Sequence, residues 1–346
     1  MFENKENRTE LSDLGEFGLI SQIAASTQVK NKSTVRGIGD DGAVLDAGDK
    51  KVVISTDMLV EGVHFDLVYC PLKHLGYKAV AVNLSDIYAM NASPSQITVS
   101  VALSSKFSLE AVEELYEGIH LACEKYEVDL VGGDTTSSLS GLIISITAIG
   151  FADESDIVYR NGARETDLVC VSGDLGSAYL GLQLLNREKQ VFLDNPAAQP
   201  DLAGYDYLLE RQLRPEPRRD IYEALKKAGI RPTAMIDVSD GLASELLHIC
   251  DNSQAGCQVY EEKIPVDIKA AELAEEFNMN PITCALNGGE DYELLFTVPI
   301  ADFEKIKMVK DVHLIGHITH KNAGCVMIEK GGQSIELKAQ GLDGLR

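Results

Sequence analysis

The stretch Gly37–His64, GIGDDGAVLDAGDKKVVISTDMLVEGVH, sets the problem that the rest of the chain must solve, because it concentrates carboxylates and hydroxyls where a fold normally economises on them. Asp40 and Asp41 follow Gly37 and Gly39 on a turn. Ser55, Thr56 and Asp57 follow Val52-Val53-Ile54, a β-branched run that reads as a strand, and so stand at its end. Two carboxylates about 4 Å apart repel by roughly 4 kcal/mol at an effective dielectric near 20, so such clustering is costly unless a cation lies between them. A hard divalent ion with oxygen ligands is the natural guest.

Outward from this stretch, residues 10–24 are patterned as an amphipathic helix. Pro71–Met90 is a longer one in which Asp86 interrupts an apolar face. Ile97–Leu103 alternates as a strand and Leu109–Tyr126 as a helix. Leu130–Val131 leads into Gly132-Gly133-Asp134, and a strand follows at Leu142–Phe151. Residues 152–165 form a polar connection suited to a domain boundary. Beyond it come a strand at Asp167–Gly173, a turn and helix from GDLGSAYLG, and an irregular stretch at 186–204. Helices follow at Tyr205–Gln212 and Pro217–Ala228. Met235–Gly241 runs from a strand into a helix at Leu242–Cys250, Asn287–Asp291 precedes a strand at Glu293–Val298, and a helix is expected at Ala301–Met308. The pattern is α+β, divided into two domains, 1–151 and 152–346. Asn83-Leu84-Ser85-Asp86 is echoed by Asp237-Val238-Ser239-Asp240, a hint that both halves face one cleft.

Composition narrows the function. A chain of 346 residues exceeds one ordinary core, and 45% hydrophobic with 25% charged residues is typical of a soluble globular protein. No apolar run approaches the roughly 18 residues of a membrane span, and the polar N-terminus lacks a signal-peptide core, so a cytoplasmic location is expected. A formal charge of −23 disfavours nucleic acid and anionic membranes as partners. Seven cysteines lie singly with no CxxC pair, which argues against zinc, iron–sulfur or a disulfide frame and for reduced, structural thiols. Neither GxxxxGK[ST] nor the kinase HRD and DFG elements occur, so a nucleotide would be held chiefly through metal, with Arg160 and the Gly132–Gly133 amides in support.

GIGDDGAVL, STDMLVEGVHF, GYKAVAVNLSDIYAMNASP, LVGGDTT, IDVSDGL and NGGEDYELLF, in this order across nearly the whole chain, closely resemble the thiamine-monophosphate kinase family of the aminoimidazole ribonucleotide synthetase (PurM-like) superfamily. The resemblance implies a two-domain PurM-like fold, with an N-terminal mixed-sheet domain, a C-terminal α/β domain and a homodimer formed through the N-terminal halves. It also implies ATP-dependent phosphorylation of thiamine monophosphate to thiamine diphosphate by direct in-line transfer, assisted by several Mg²⁺ ions. Carried over residue by residue, it puts metal on Asp41, Ser55, Thr56, Asp57, Asp86, Asp134, Asp237 and Asp240. ATP would meet Gly133, Asp134, Arg160 and Ser239, and the thiamine phosphate would meet His64 and Glu290. The chain departs from the family at its end, where Gly341-Leu342-Asp343-Gly344 replaces an aromatic-containing tail, so Leu342 cannot stack on a substrate ring.

Local alternatives accompany these roles. Asp40 is also suited to a turn, Asp240 to a helix N-cap, His64 to a structural hydrogen bond, Arg160 to the surface and Glu290 to bracing the turn after Gly288-Gly289. Two other functions stay open: another superfamily activity, and a nucleotide or metal sensor that binds without turnover. Of the former, a selenophosphate synthetase would want a reactive Cys in its N-terminal loop, and the first thirty residues hold none.

Overall fold

The computed structural model describes residues 32–197 and 199–339, together with Gly18, Ile20, Ser21, Ala24 and Ala25, which are helical. Most of the helix expected over 10–24, and the tail containing Leu342, lie outside the described residues. The first half runs β1 (Thr34–Arg36), β2 (Ala43–Asp46), β3 (Lys51–Val60), α1 (Leu72–Ala89), β4 (Ser93–Leu103), α2 (Leu109–Tyr126), β5 (Asp129–Ser137) and β6 (Ile143–Ala152). Its sheet has the order β1-β2-β3-β6-β4-β5, antiparallel except where β4 meets β5.

The second half runs β7 (Leu168–Ser172), α3 (Ser177–Asp194), α4 (Asp206–Leu213), α5 (Arg219–Ala228), β8 (Ala234–Asp237), α6 (Leu242–Ser253), β9 (Gly256–Tyr260), α7 (Ile268–Glu276) and α8 (Pro281–Asn287). It closes with β10 (Leu294–Val298), α9 (Phe303–Ile306), β11 (Val312–Thr319), β12 (Cys325–Ile328) and β13 (Ser334–Glu336). These strands form a second sheet, β13-β12-β9-β11-β7-β10-β8, with one parallel pair, β9 with β12.

The helix α1 joins the halves. It packs on β3, β4 and β6, on α2, and on β8 and α4 of the second half, so nearly its whole circumference is buried. That burial explains its all-round apolar composition. It also makes the polar residues Lys78, Asn83, Ser85 and Asp86 conspicuous, since a buried polar group must find a partner.

Three expectations change. The strand through Val52–Ile54 does not stop at Ser55 but runs to Val60, because the ladder with β6 continues without a break to the Val60–Ile143 pair. The Ser-Thr-Asp group is therefore mid-strand: Ser55 and Asp57 share the face turned to α1, while Thr56 and Met58 share the other. The stretch expected to be irregular at 186–204 is helical to Asp194, held by ion pairs of Lys189 with Asp66 and Arg187 with Glu276. The helix expected at Ala301–Met308 is a 3₁₀ turn at Ile300–Asp302 followed by the short α9.

Candidate active site

The acids meet at the seam between the halves. A cleft of about 730 Å³ is lined by the Gly37–Ala43 turn, by Ser55, Thr56 and Asp57 of β3, by Asp86 of α1, and by Arg160 of the connection between the sheets. From the second half come Asp237, Ser239, Asp240, Glu245 and His248. Asp41, Asp86 and Asp237 each place a carboxylate oxygen within 4.8 Å of the other two. At that separation each pair of charges repels by about 3.5 kcal/mol at an effective dielectric near 20.

Each acid is held by its element. Ser85 Oγ donates to Asp237 Oδ2 at 2.6 Å, and the Ser55 hydroxyl donates to Asp86. Asn83 accepts the Asp57 backbone N–H at 3.0 Å. The two echoed tetrapeptides thus face each other: Ser85 and Asp86 from α1 meet Asp237, Ser239 and Asp240 from the β8–α6 turn. Arg160 donates from Nε and Nη2 to both oxygens of Asp41, at 3.0 and 2.9 Å, and from its backbone N–H to Asp40. Arg36 pairs with the other oxygen of Asp40. Asp40 is therefore a structural acid, satisfied on both oxygens.

Charge is only partly balanced. Burial first, and then the Asp57, Asp237 and Asp41 carboxylates, push the Asp86 carboxyl well above the ordinary range. Burial and the neighbouring Asp41 push Asp237 up to about 8. Glu245 is raised by burial and by Asp240, although it accepts the backbone N–H groups of Ser239 and Asp240 at 3.2 and 2.8 Å. Burial works against the charge on Arg160, yet Asp41, Asp237 and Asp40 together outweigh it and the pKa is raised. One guanidinium cannot neutralise this many acids, and the donors are all oxygen. Both features fit a hard divalent cation such as Mg²⁺.

The local alternatives resolve in part. Gly241, with φ of 115°, is the residue that precedes the first turn of α6 and no side chain caps that helix, so Asp240 is not an N-cap. Arg160 is not a surface residue but the partner of Asp41. His64 is exposed and accepts the Val60 N–H through Nδ1 at 3.0 Å. Glu290, at φ of 61°, donates its own N–H to the Ser239 carbonyl while its carboxylate accepts from Lys78 at 3.1 Å and Gln212 at 2.7 Å. It braces the β8–α6 turn against α1. The Thr56 hydroxyl lies on the far sheet face, donating to the Ile146 carbonyl at 2.9 Å.

Gly133 and Asp134 do not line the cleft. Ladder pairs run Met58–Ser145–Ser100–Asp134 across four strands, which places Asp134 about 14 Å from β3 and on the sheet face away from α1. A Cβ on Gly133 would stand 1.8 Å from the Val99 carbonyl oxygen, so this glycine is required by the close β4–β5 pairing. Sequence reasoning missed Glu245 and His248. Their only signal was position: both lie one to two turns into the helix that follows Asp240.

Comparison with known proteins agrees with this architecture. The family model for the AIR synthase related protein, N-terminal domain, matches residues 39–152. Thiamine-monophosphate kinase of Bacillus subtilis is 35% identical over 95% of this chain and 98% of its own. That of Aquifex aeolicus is 38% identical over 84% of this chain and 87% of its own. The solved structure described as AaThiL complexed with AMPPCP and TMP superposes with a TM-score of 0.82 at 33% identity, covering 97% of this chain and 99% of that one. A hydrogenase maturation protein HypE shares the fold at a TM-score of 0.68 and 17% identity. Identity above a third, sustained over both sheets and the seam that unites their acids, means that this chain belongs to the thiamine-monophosphate kinase family.

Proposed function

We propose that this protein phosphorylates thiamine monophosphate to thiamine diphosphate with ATP, by direct in-line transfer, using Mg²⁺ held by Asp41, Asp57, Asp86, Asp237 and Asp240 with Ser55 beside them, while Thr56, whose hydroxyl is engaged on the far sheet face, offers the cleft only its backbone. The observation that carries the reading is the convergence of Asp41, Asp86 and Asp237 within 4.8 Å at the seam of the two halves. Magnesium, when bound, supplies the positive charge that lets two anionic phosphates approach. Ser55 and Ser85 orient the acids through hydrogen bonds, so the donor set is arranged before any ligand arrives. Arg160, poised on Asp41, is the one cation lining the cleft among the described residues and is suited to exchange that carboxylate for a nucleotide phosphate.

No general base is needed. The acceptor is itself a phosphate whose second pKa is about 6, so it arrives largely ionised near neutral pH. Ser239 lies on the cleft lining, where ATP is expected. Thiamine monophosphate is expected at His64, in the β3–α1 loop, and at Glu290, in the α8–β10 loop and hydrogen-bonded to Ser239 of the β8–α6 turn. Gly133 and Asp134 belong to this reading only if the nucleotide or a second metal reaches the far face of the first sheet.

Incubation with ATP, Mg²⁺ and thiamine monophosphate, followed by mass analysis, tests the proposal. One added phosphate on thiamine monophosphate, and none on thiamine offered in parallel, is expected. Nucleotide binding with no phosphate transferred would instead identify a sensor on the same scaffold.

A further inference from the structure

Away from the cleft, three of the seven cysteines converge. Cys250 lies near the C-terminal end of α6, Cys257 on β9, and Cys325 at the start of β12. The strands β9 and β12 pair in parallel with Cys257 opposite Cys325, so the two side chains leave the same sheet face, which α6 covers. One sulfur from each of the three lies within 4.8 Å of the other two. Cys250 and Cys257 are buried, while Cys325 is half-buried and gives the group a route to solvent. The other four cysteines are dispersed: Cys70 and Cys123 pack in the core of the first half, Cys170 near β10, and Cys284 beneath α3 and α7.

Buried thiols that serve as small hydrophobes have no reason to gather from three separate chain segments. A cation bonded to three thiolates at about 2.3 Å holds their sulfurs roughly 4 Å apart, so this trio needs less than about 1 Å of contraction to close on an ion. Sulfur donors reject Mg²⁺ and favour soft or borderline ions. Charge selects among these. Three thiolates leave a net −2 on a monovalent ion and −1 on a divalent one, and burial penalises the larger charge. The fourth position of a tetrahedral ion falls to water or an external thiol entering past Cys325, since no fourth His, Cys, Asp or Glu joins the cluster among the described residues.

We propose that Cys250, Cys257 and Cys325 form a binding site for one soft divalent d¹⁰ cation of the zinc class. Cys250 stands about 12 Å along α6 from the helix start at the cleft, so the site is separate from the oxygen donors there. Occupancy ties the far end of α6 to β9 and β12, with release of the thiol protons as the ion binds.

The test uses the full-length, reduced protein stripped of transition metals, with excess Mg²⁺ present to occupy the cleft. Titration with Cd²⁺ is expected to raise an ultraviolet thiolate-to-metal charge-transfer band that saturates at one equivalent per chain, and the same band is expected to grow in as Cd²⁺ displaces Zn²⁺ from the zinc-loaded protein. Cys325→Ser, at the half-buried position that tolerates a hydroxyl, is expected to weaken Cd²⁺ binding by at least about 10-fold, while Cys123→Ser leaves it unchanged. No saturable band, or undiminished affinity in Cys325→Ser, overturns the site. A second measurement needs no variant: X-ray absorption of the zinc-loaded protein should show three sulfur neighbours at about 2.3 Å, and a shell of oxygen and nitrogen alone overturns it.

Discussion

Asp237 shows at a single residue what the cleft demands. Its carboxyl is almost fully buried, faces Asp41, and is pushed up to about 8, whereas in the unfolded chain it ionises near 4. Between those values the folded state holds a proton that the unfolded state has lost, so the metal-free protein loses stability as pH rises through this window and levels off above about 8. Asp86, raised for the same causes, adds to the trend. Divalent ions compete with these protons. The gain in melting temperature from saturating Mg²⁺ is therefore expected to be larger at about pH 8.5 than at about pH 5, and a gain independent of pH in scanning calorimetry would remove the triad as the metal's holder. Asp237→Asn should raise the melting temperature of the metal-free protein at neutral pH and above, since the amide replaces an acid that must either retain a proton or carry a repelled buried charge, while lowering kcat at saturating Mg²⁺ by at least about 10²-fold. A variant that gained stability and kept its kcat would show that the acid serves neither metal nor transfer.

At the scale of elements, α1 organises the molecule, and its position depends on two glycines that carry no chemistry. A Cβ on Gly76 would lie 2.0 Å from the Leu115 carbonyl oxygen, and one on Gly118 1.9 Å from that of Lys73, so α1 and α2 cross with their backbones in contact. Gly76→Ala must push the helices apart and is expected to cost about 3 kcal/mol, read as a lowered urea midpoint with an unchanged m-value. Full retention of the midpoint would mean that the crossing relaxes freely. The limits of α1 and α2 were legible to within a residue because Pro71 precedes one and Ser108, whose hydroxyl accepts the Ala111 N–H, caps the other. The full length of β3 was not legible. Ser55-Thr56-Asp57 lacks the apolar signal of a strand, and only the cross-strand ladder to β6 carries it to Val60. The same holds for α3 beyond residue 186, whose anchors Asp66 and Glu276 lie far away in sequence.

For the whole molecule, the sequence motifs located the acids and their echo hinted at one cleft, but not at how the fold forms it. Asp41, Asp57, Asp86 and Asp237 share one cleft because α1 carries Asp86 to the edge strand β8, a long-range contact that no local pattern encodes. Asp134, equally conspicuous as a motif, stands apart because the strand order inserts β6 and β4 between it and β3. It shares its face with Thr56, Met58, Ser100 and Ser145, the side of the first sheet turned away from α1. On that side Met58 is 55% exposed; Val131, 58% exposed, stands at the register shift of the edge strand β5. Apolar side chains this open on a sheet, together with an exposed edge strand, are suited to a partner surface. We propose that the homodimer expected through the N-terminal half uses this face, which would bury Met58 of each copy against its partner. A charge buried there without a partner is strongly destabilising, so Met58→Asp is expected to shift the light-scattering mass from two chains to one. The mass is the proper readout because Met58 adjoins Asp57, and a loss of turnover alone would not separate assembly from catalysis. A variant that stays dimeric would move the interface elsewhere, and Asp134 would then have no route to a shared site on this face.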